Sequence, residues 1–157
     1  MYTLPDKIFH FTIENCKFAI PLSTIDRVIR AVAVTIVPNA PPAIYGVIDY
    51  YGVLVPVINL RYRFQLPLQP VRIDDVFIIA DSTKRKIALV ADKAEGVIYT
   101  KAPEMVNSAD VEPGFESAGL LRREDGIIVI YDIEKFLSMQ EEIEIRRLIS
   151  HLTQETK

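Results

Sequence analysis

The feature of this chain that most restricts its fold is a pattern of short apolar runs that occurs twice. In the first half these runs are Ile8 to Ile13, Phe18 to Leu22, Val34 to Val37, Gly46 to Tyr50 and Val53 to Ile58. Each is rich in Val, Ile or Phe and bounded by turn residues, the signature of β-strands. The second half offers Asp75 to Ala80, Lys86 to Ala91, Gly96 to Thr100, Gly119 to Arg123 and Ile127 to Tyr131, with turns at Asp81-Ser82, Pro113-Gly114 and Asp125-Gly126. Phe18-Ala19-Ile20 through Val28-Ile29 matches Ile87-Ala88-Leu89 through Val97-Ile98, 69 positions later. Gly46 and Gly52 match Gly119 and Gly126 at offsets of 73 and 74, and a short helical pattern follows each hairpin. Self-similarity at a nearly constant offset indicates duplicated units. For short strands the economical architecture is two packed β-barrels of about five strands each, because closing a small sheet removes its exposed edges.

At 157 residues the chain is too short for two independently folding domains. We therefore expect one all-β domain over residues 1–157, with a first barrel over roughly 8–70, a second over 71–131 and a helix over 132–155. That last segment places Ile133, Phe136, Leu137, Ile143, Leu148, Ile149 and Leu152 at spacings of mostly three and four, which makes it amphipathic. Asp132 is placed to cap its start, and Glu141, Glu142 and Glu144 stand within reach of Arg146 and Arg147. Such a helix either packs across the barrels or serves as a partner-docking arm.

The search for chemistry returns little. Histidines 10 and 151 stand at opposite ends, and Cys16 is the only cysteine, so neither a metal set nor an internal disulfide is expected. Gly114 precedes Ser117 by three positions where a nucleophile elbow needs two. No phosphate loop or dinucleotide fingerprint is present, and the adjacent acidic pairs Asp74-Asp75, Glu124-Asp125 and Glu141-Glu142 read as solvated turns and caps. We expect no catalytic residues, no cofactor and no metal. The net charge of −3 argues against nucleic acid as a partner. No run approaches the roughly 18 apolar residues needed to span a bilayer, and residues 1–10 do not form a secretory signal, so a cytoplasmic binding protein is the expectation.

The blocks Phe18-Ala19-Ile20-Pro21-Leu22, Val34-Thr35-Ile36-Val37-Pro38-Asn39-Ala40-Pro41, Ile44-Tyr45-Gly46-Val47-Ile48 and Gly52-Val53-Leu54-Val55-Pro56-Val57-Ile58-Asn59-Leu60-Arg61 resemble the CheW-like family of chemotaxis coupling proteins. The resemblance resumes at Ala88 to Asp92 with Val97-Ile98 and ends in Ile128 to Leu137, covering about residues 8 to 139. It implies two SH3-like barrels and a non-catalytic adapter. The implied partners are the regulatory domain of a CheA-type histidine kinase and the cytoplasmic tips of methyl-accepting chemoreceptors, in arrays at the membrane. Two positions depart from the family pattern. Tyr51 stands where an arginine is usual before the second hairpin glycine, and Arg27 where a glutamate often precedes the Val-Ile ending. A cation-ring contact between them would replace the missing acid-base pair; independent drift is the alternative. These departures also admit a divergent scaffold serving surface motility or gene regulation. A small molecule held in the seam between barrels is a third reading.

Adapters of this kind work through surfaces. The loop Val37-Pro38-Asn39-Ala40-Pro41-Pro42 is stiffened by three prolines, which would hold an apolar ridge in order before binding, and Ile44 continues it as a first-barrel contact. Tyr45, Tyr50 and Tyr51 surround one hairpin, and tyrosine suits interfaces; of the last two, Tyr51 is expected to face outward. Pro56 lacks an N–H, which predicts an edge strand or a bulge accessible to a partner. The expected protein-binding set is thus Arg27, Val37, Pro38, Asn39, Pro41, Ile44, Tyr45, Tyr51 and Pro56.

Overall fold

The computed structural model describes residues 5–100, 105–106 and 119–155. The expected turn at Pro113-Gly114, the stretch around Ser117 and residues 1–4 lie outside this range. The strands are β1 (Lys7–Ile13), β2 (Cys16–Pro21), β3 (Ile25–Arg30), β4 (Ile44–Tyr50), β5 (Val53–Ile58), β6 (Val76–Asp81), β7 (Lys86–Ala91), β8 (Lys93–Tyr99), β9 (Met105–Val106), β10 (Gly119–Arg123) and β11 (Gly126–Ile130). A one-turn helix α1 (Leu60–Arg63) follows β5, and α2 (Met139–Glu155) closes the described chain. The fold is mostly β, as expected, in a five-stranded sheet of order β3-β6-β7-β5-β4 and a six-stranded one of order β8-β1-β2-β11-β10-β9, in which β9 is only two residues long.

The division at residue 70 does not hold. The β1-β2 hairpin joins the strands of the second half, with β1 antiparallel to β8 and β2 parallel to β11. Reciprocally, the β6-β7 hairpin joins the strands of the first half, with β6 antiparallel to β3 and β7 parallel to β5. The repeat is therefore real, but each unit lends its opening hairpin to the other. Offset matching reads neighbours along the chain, whereas pairing is decided by which faces must be buried. Strand β6 shows this: Phe77 and Ile79 enter the core of the five-stranded sheet, while Ile78 and Ala80 enter the central core. Both faces are covered, so the run has no polar alternation.

Three cores result. One lies within the five-stranded sheet (Ile48, Val55, Val57, Phe77, Ile79) and a smaller one within the six-stranded sheet (Ile8, Ala19, Leu121, Ile128, Ile130). The largest, with Phe11, Phe18, Ile58, Leu60, Leu89, Tyr131 and Phe136, joins them. The expected strand at Val34 to Val37 is a single bridge, Thr35 to Val47. Pro38 ends its capacity to donate, and the strand role passes to β3. The two edges of the five-stranded sheet nevertheless approach each other, since Tyr50 Oη on β4 donates to Asp26 on β3 at 3.2 Å and Thr35, in the segment after β3, bridges to Val47 on β4. Gly46 permits the approach: a Cβ there would lie 2.2 Å from the Thr35 carbonyl oxygen.

The C-terminal helix starts later than expected. Asp132 caps only a single 3-10 turn, Ile133–Lys135, by accepting from Glu134 N. The start of α2 is instead held by Ser138, whose Oγ accepts from Glu141 N at 3.0 Å while Glu141 Oε1 accepts from Ser138 N at 2.8 Å, a reciprocal capping box. Two of the three glutamates turn inward to the barrels. Glu141 pairs with Arg63, and Glu142, almost fully buried, pairs with Arg85 at 2.8 Å; among the described residues, Glu142 to Arg146, at 3.8 Å, is the expected pairing within the helix. With Ile145 buried in the central core and Ile149 packed against it, α2 packs across the barrels.

Candidate functional site

The expected apolar ridge exists but is covered. Val37, Pro41, Ile44 and Pro56 are buried, and the face of α2 bearing Ile145, Leu148 and Ile149 lies over Val37, Ala40, Ile44, Val47 and Pro56. Val37, Ile44 and Pro56 thus pack beneath the helix, and Pro41 is buried as well. The sequence pattern showed apolar side chains on both segments without showing that they satisfy each other. Pro56 sits in a central strand, not at an edge. Val47, opposite it, directs both its N–H and its C=O to Thr35 at 2.9 Å, and pairing with β7 begins only at Val57. No ladder bond is asked of the proline. Pro38 and Asn39 remain exposed.

Arg27 and Tyr51 do come together. Arg27 Nη1 donates to Tyr51 Oη at 2.9 Å, with the guanidinium carbon 5.6 Å from the ring centroid. Tyr51 is 79% exposed and Tyr50 is buried, as expected from their alternation, and the two rings meet edge to face at 4.8 Å. Behind them Lys86 Nζ donates to Asp26 at 3.0 Å and to Asp81 at 2.8 Å, which holds the Asp26 carboxyl below its usual range.

Tyr45 is half-buried, its hydroxyl donating to Gln69 O at 2.9 Å, and burial raises its pKa. It forms part of a shallow apolar groove with Val32, Ile36, Val71 and Ile73. Ile36 and Ile73 are 79% and 84% exposed. Sequence reasoning missed these two because Ile36 stood inside the expected strand Val34 to Val37 and Ile73 just before the run at Asp75, so both read as ordinary core residues.

A second groove, of about 660 Å³, opens where β2 and β11 of the six-stranded sheet face the segment after α1. Its walls are aromatic, with Phe64 half-buried and Phe18 and Tyr131 mostly buried: Phe18 stacks on Phe64 at 4.5 Å and 19°, and Phe64 lies 4.8 Å from Tyr131. Charged pairs mark both ends, Lys17 to Asp125 at 2.6 Å and Arg63 to Glu141. The Lys17 ammonium donates to the Asp125 carboxyl and keeps its pKa low. The wall is fixed from behind by Arg61, buried in α1, whose Nη2 forks onto both Asp92 carboxylate oxygens at 2.7 and 2.8 Å while Nη1 donates to Glu14 and to Pro67 O. The aromatic residues were visible in the sequence as strand and helix positions, but nothing in their spacing brought Phe18, Phe64 and Tyr131 to one place.

Among the described residues no cluster of His, Cys, Asp and Glu could hold a metal ion, and no helix is long and apolar enough to cross a membrane. The surfaces suit macromolecular recognition: aromatic, preordered and rimmed by charge.

Residues 7–141 match the family model described as CheW-like domain. The chain is similar to the chemotaxis protein CheW of Klebsiella aerogenes, with 28% identity over 88% of this chain and 86% of that protein. It is likewise similar to the chemotaxis protein CheW of Thermotoga maritima, with 26% identity over 93% of this chain and 98% of that protein. The solved structure of the scaffolding protein TtCheW from Thermoanaerobacter tengcongensis superposes with a TM-score of 0.72 at 25% identity, covering 81% of this chain and 88% of that one.

Proposed function

Since the chain belongs to the CheW-like family, we propose that it holds its two partners on separate faces, the receptor tip in the aromatic groove and the kinase on the five-stranded barrel. It is a non-catalytic adapter of chemotaxis signalling that couples chemoreceptors to a CheA-type histidine kinase. The groove walled by Phe18, Phe64 and Tyr131 is the observation that carries the assignment of faces. A helical hairpin tip is a convex, amphipathic object, and it seeks a concave apolar cleft. Rings locked by mutual stacking lose little freedom on binding, so more of the contact energy is retained as affinity. The adapter works in the cytoplasm, recruited to membrane-associated receptor arrays through these partners. Of the expected contact residues, Arg27, Pro38, Asn39, Tyr45 and Tyr51 keep surface to offer.

Calorimetry with a receptor cytoplasmic-tip fragment and with the kinase regulatory domain of the same genome tests this. Ile127, half-exposed on the groove wall, accepts a charge without loss of the fold. Ile127→Glu should weaken receptor binding about tenfold or more and leave kinase binding unchanged. Equal receptor affinity in the variant would refute the assignment of the groove, and a small molecule bound there in place of the receptor would favour a ligand-binding reading, since the volume lies within the range of such sites.

A further inference from the structure

Resting on the adapter reading, we propose that Arg27 and Tyr51, at the tip of the β4-β5 hairpin, form a preordered recognition point for a carboxylate on the surface of the kinase regulatory domain. Three observations converge. First, Tyr51 and Gly52 have φ of 51° and 87°, the positive pair of a type I′ hairpin turn. Glycine and asparagine suit that position, whereas a ring there carries backbone strain. An aromatic residue held in a strained conformation and 79% exposed does nothing for the core.

Second, the ring is aimed before any partner arrives. Tyr50 packs against it edge to face at 4.8 Å and is itself anchored by donating to Asp26, and Asp49 Oδ1 holds the turn by accepting from Gly52 N at 2.8 Å. Third, the charge on Arg27 is left available. The nearby carboxylates of Asp26 and Asp81 are engaged by Lys86, while Arg27 has only the neutral Tyr51 hydroxyl as a side-chain acceptor among the described residues. One N–H of its planar fork is used to orient it on an otherwise exposed side chain, the arrangement that receives a carboxylate. Val53, half-exposed beside the turn, adds apolar surface.

The convex shape selects the partner. A projecting hairpin fits a recess on a globular domain, and none of its residues lines the aromatic groove assigned to the receptor. The occupant is therefore an acidic side chain flanked by apolar surface on the kinase domain.

The test uses the full chain. Arg27→Glu should reduce affinity for the kinase regulatory domain about tenfold or more, mostly through the on-rate and its salt dependence, with receptor-fragment binding unchanged. Tyr51→Asn relieves the turn and should raise the melting temperature by about 2 °C while lowering kinase affinity severalfold, an opposition that a merely structural tyrosine would not produce. Wild-type binding to the kinase domain with undiminished affinity in Arg27→Glu would overturn the recognition point alone. Failure of the wild type to bind the kinase domain would overturn the adapter reading beneath it.

Discussion

Arg61 holds the two sheets in register, and replacing it with methionine measures how much that junction contributes. Its side chain is 6% exposed. From α1 it reaches Glu14 in the β1-β2 turn of one sheet, Asp92 at the junction of β7 and β8, and the Pro67 carbonyl. Asp92 extends the junction by accepting from Glu14 N at 2.7 Å and donating its own N–H to Thr12 O at 2.9 Å. Removing one member of a fully buried charge pair costs about 3–5 kcal/mol. Here the acids are 32% and 40% exposed, so water recovers part of their solvation. The loss should then lie near the bottom of that range, about 3 kcal/mol, with the abandoned Pro67 carbonyl contributing about 1 kcal/mol of it. For a chain of this size that lowers the melting temperature by roughly 6–12 °C. Denaturant titration followed by circular dichroism measures it, with the slope unchanged if the unfolded state is unaffected. Arg61→Lys should recover little, because an ammonium cannot span three acceptors in one plane. A loss below about 1 kcal/mol in Arg61→Met would refute the view that this network, rather than the surrounding apolar contacts, fixes the sheets.

Gly46→Ala places a methyl group 2.2 Å from the Thr35 carbonyl oxygen and 2.8 Å from Val34 Cγ1; the bridge from Thr35 to Val47 must open, and chemical denaturation should show a loss of about 3 kcal/mol. His10 lies among Glu95 on β8, Lys17 on β2, and Arg123 and Asp125 at the β10-β11 turn, and burial pushes its pKa below 6.5. As the pH falls through that value the unfolded chain takes up a proton that the folded chain resists, so stability is full above pH 6.5 and declines toward the lower folded pKa. Melting curves from pH 7.5 to 5.5 should fall less steeply in His10→Gln than in the wild type, and identical slopes would show that His10 does not contribute. In a double-mutant cycle, Arg27→Ala and Tyr51→Ala should couple by about 0.5–1 kcal/mol in stability; zero coupling would mean that the contact is energetically idle.

Local patterns in the chain identified most strands and both hairpins of each repeat, because alternation, β-branched residues and turn signals are written in adjacent positions. Strand β3 was legible only as a Val-Ile ending: its Asp26 and Arg27 interrupt the apolar run, and their role in linking the sheet edges depends on Tyr50 and Tyr51. The capping box of Ser138 and Glu141 was written in the sequence as S-x-x-E but was obscured by the longer apolar spacing from Ile133 onward.

Adjacent residues were enough to show a duplicated, mostly β unit, and the resemblance carried by its blocks marked a non-catalytic adapter and singled out Tyr51 and Arg27. Only long-range packing settled that the repeats exchange their opening hairpins, that α2 covers Val37, Ile44 and Pro56, and that Phe18, Phe64 and Tyr131 wall one groove. The reason is physical. Periodicity reports which face of an element is apolar, but the same apolar face satisfies a helix of its own chain as well as a partner, and the outcome depends on contacts between residues that are distant in sequence.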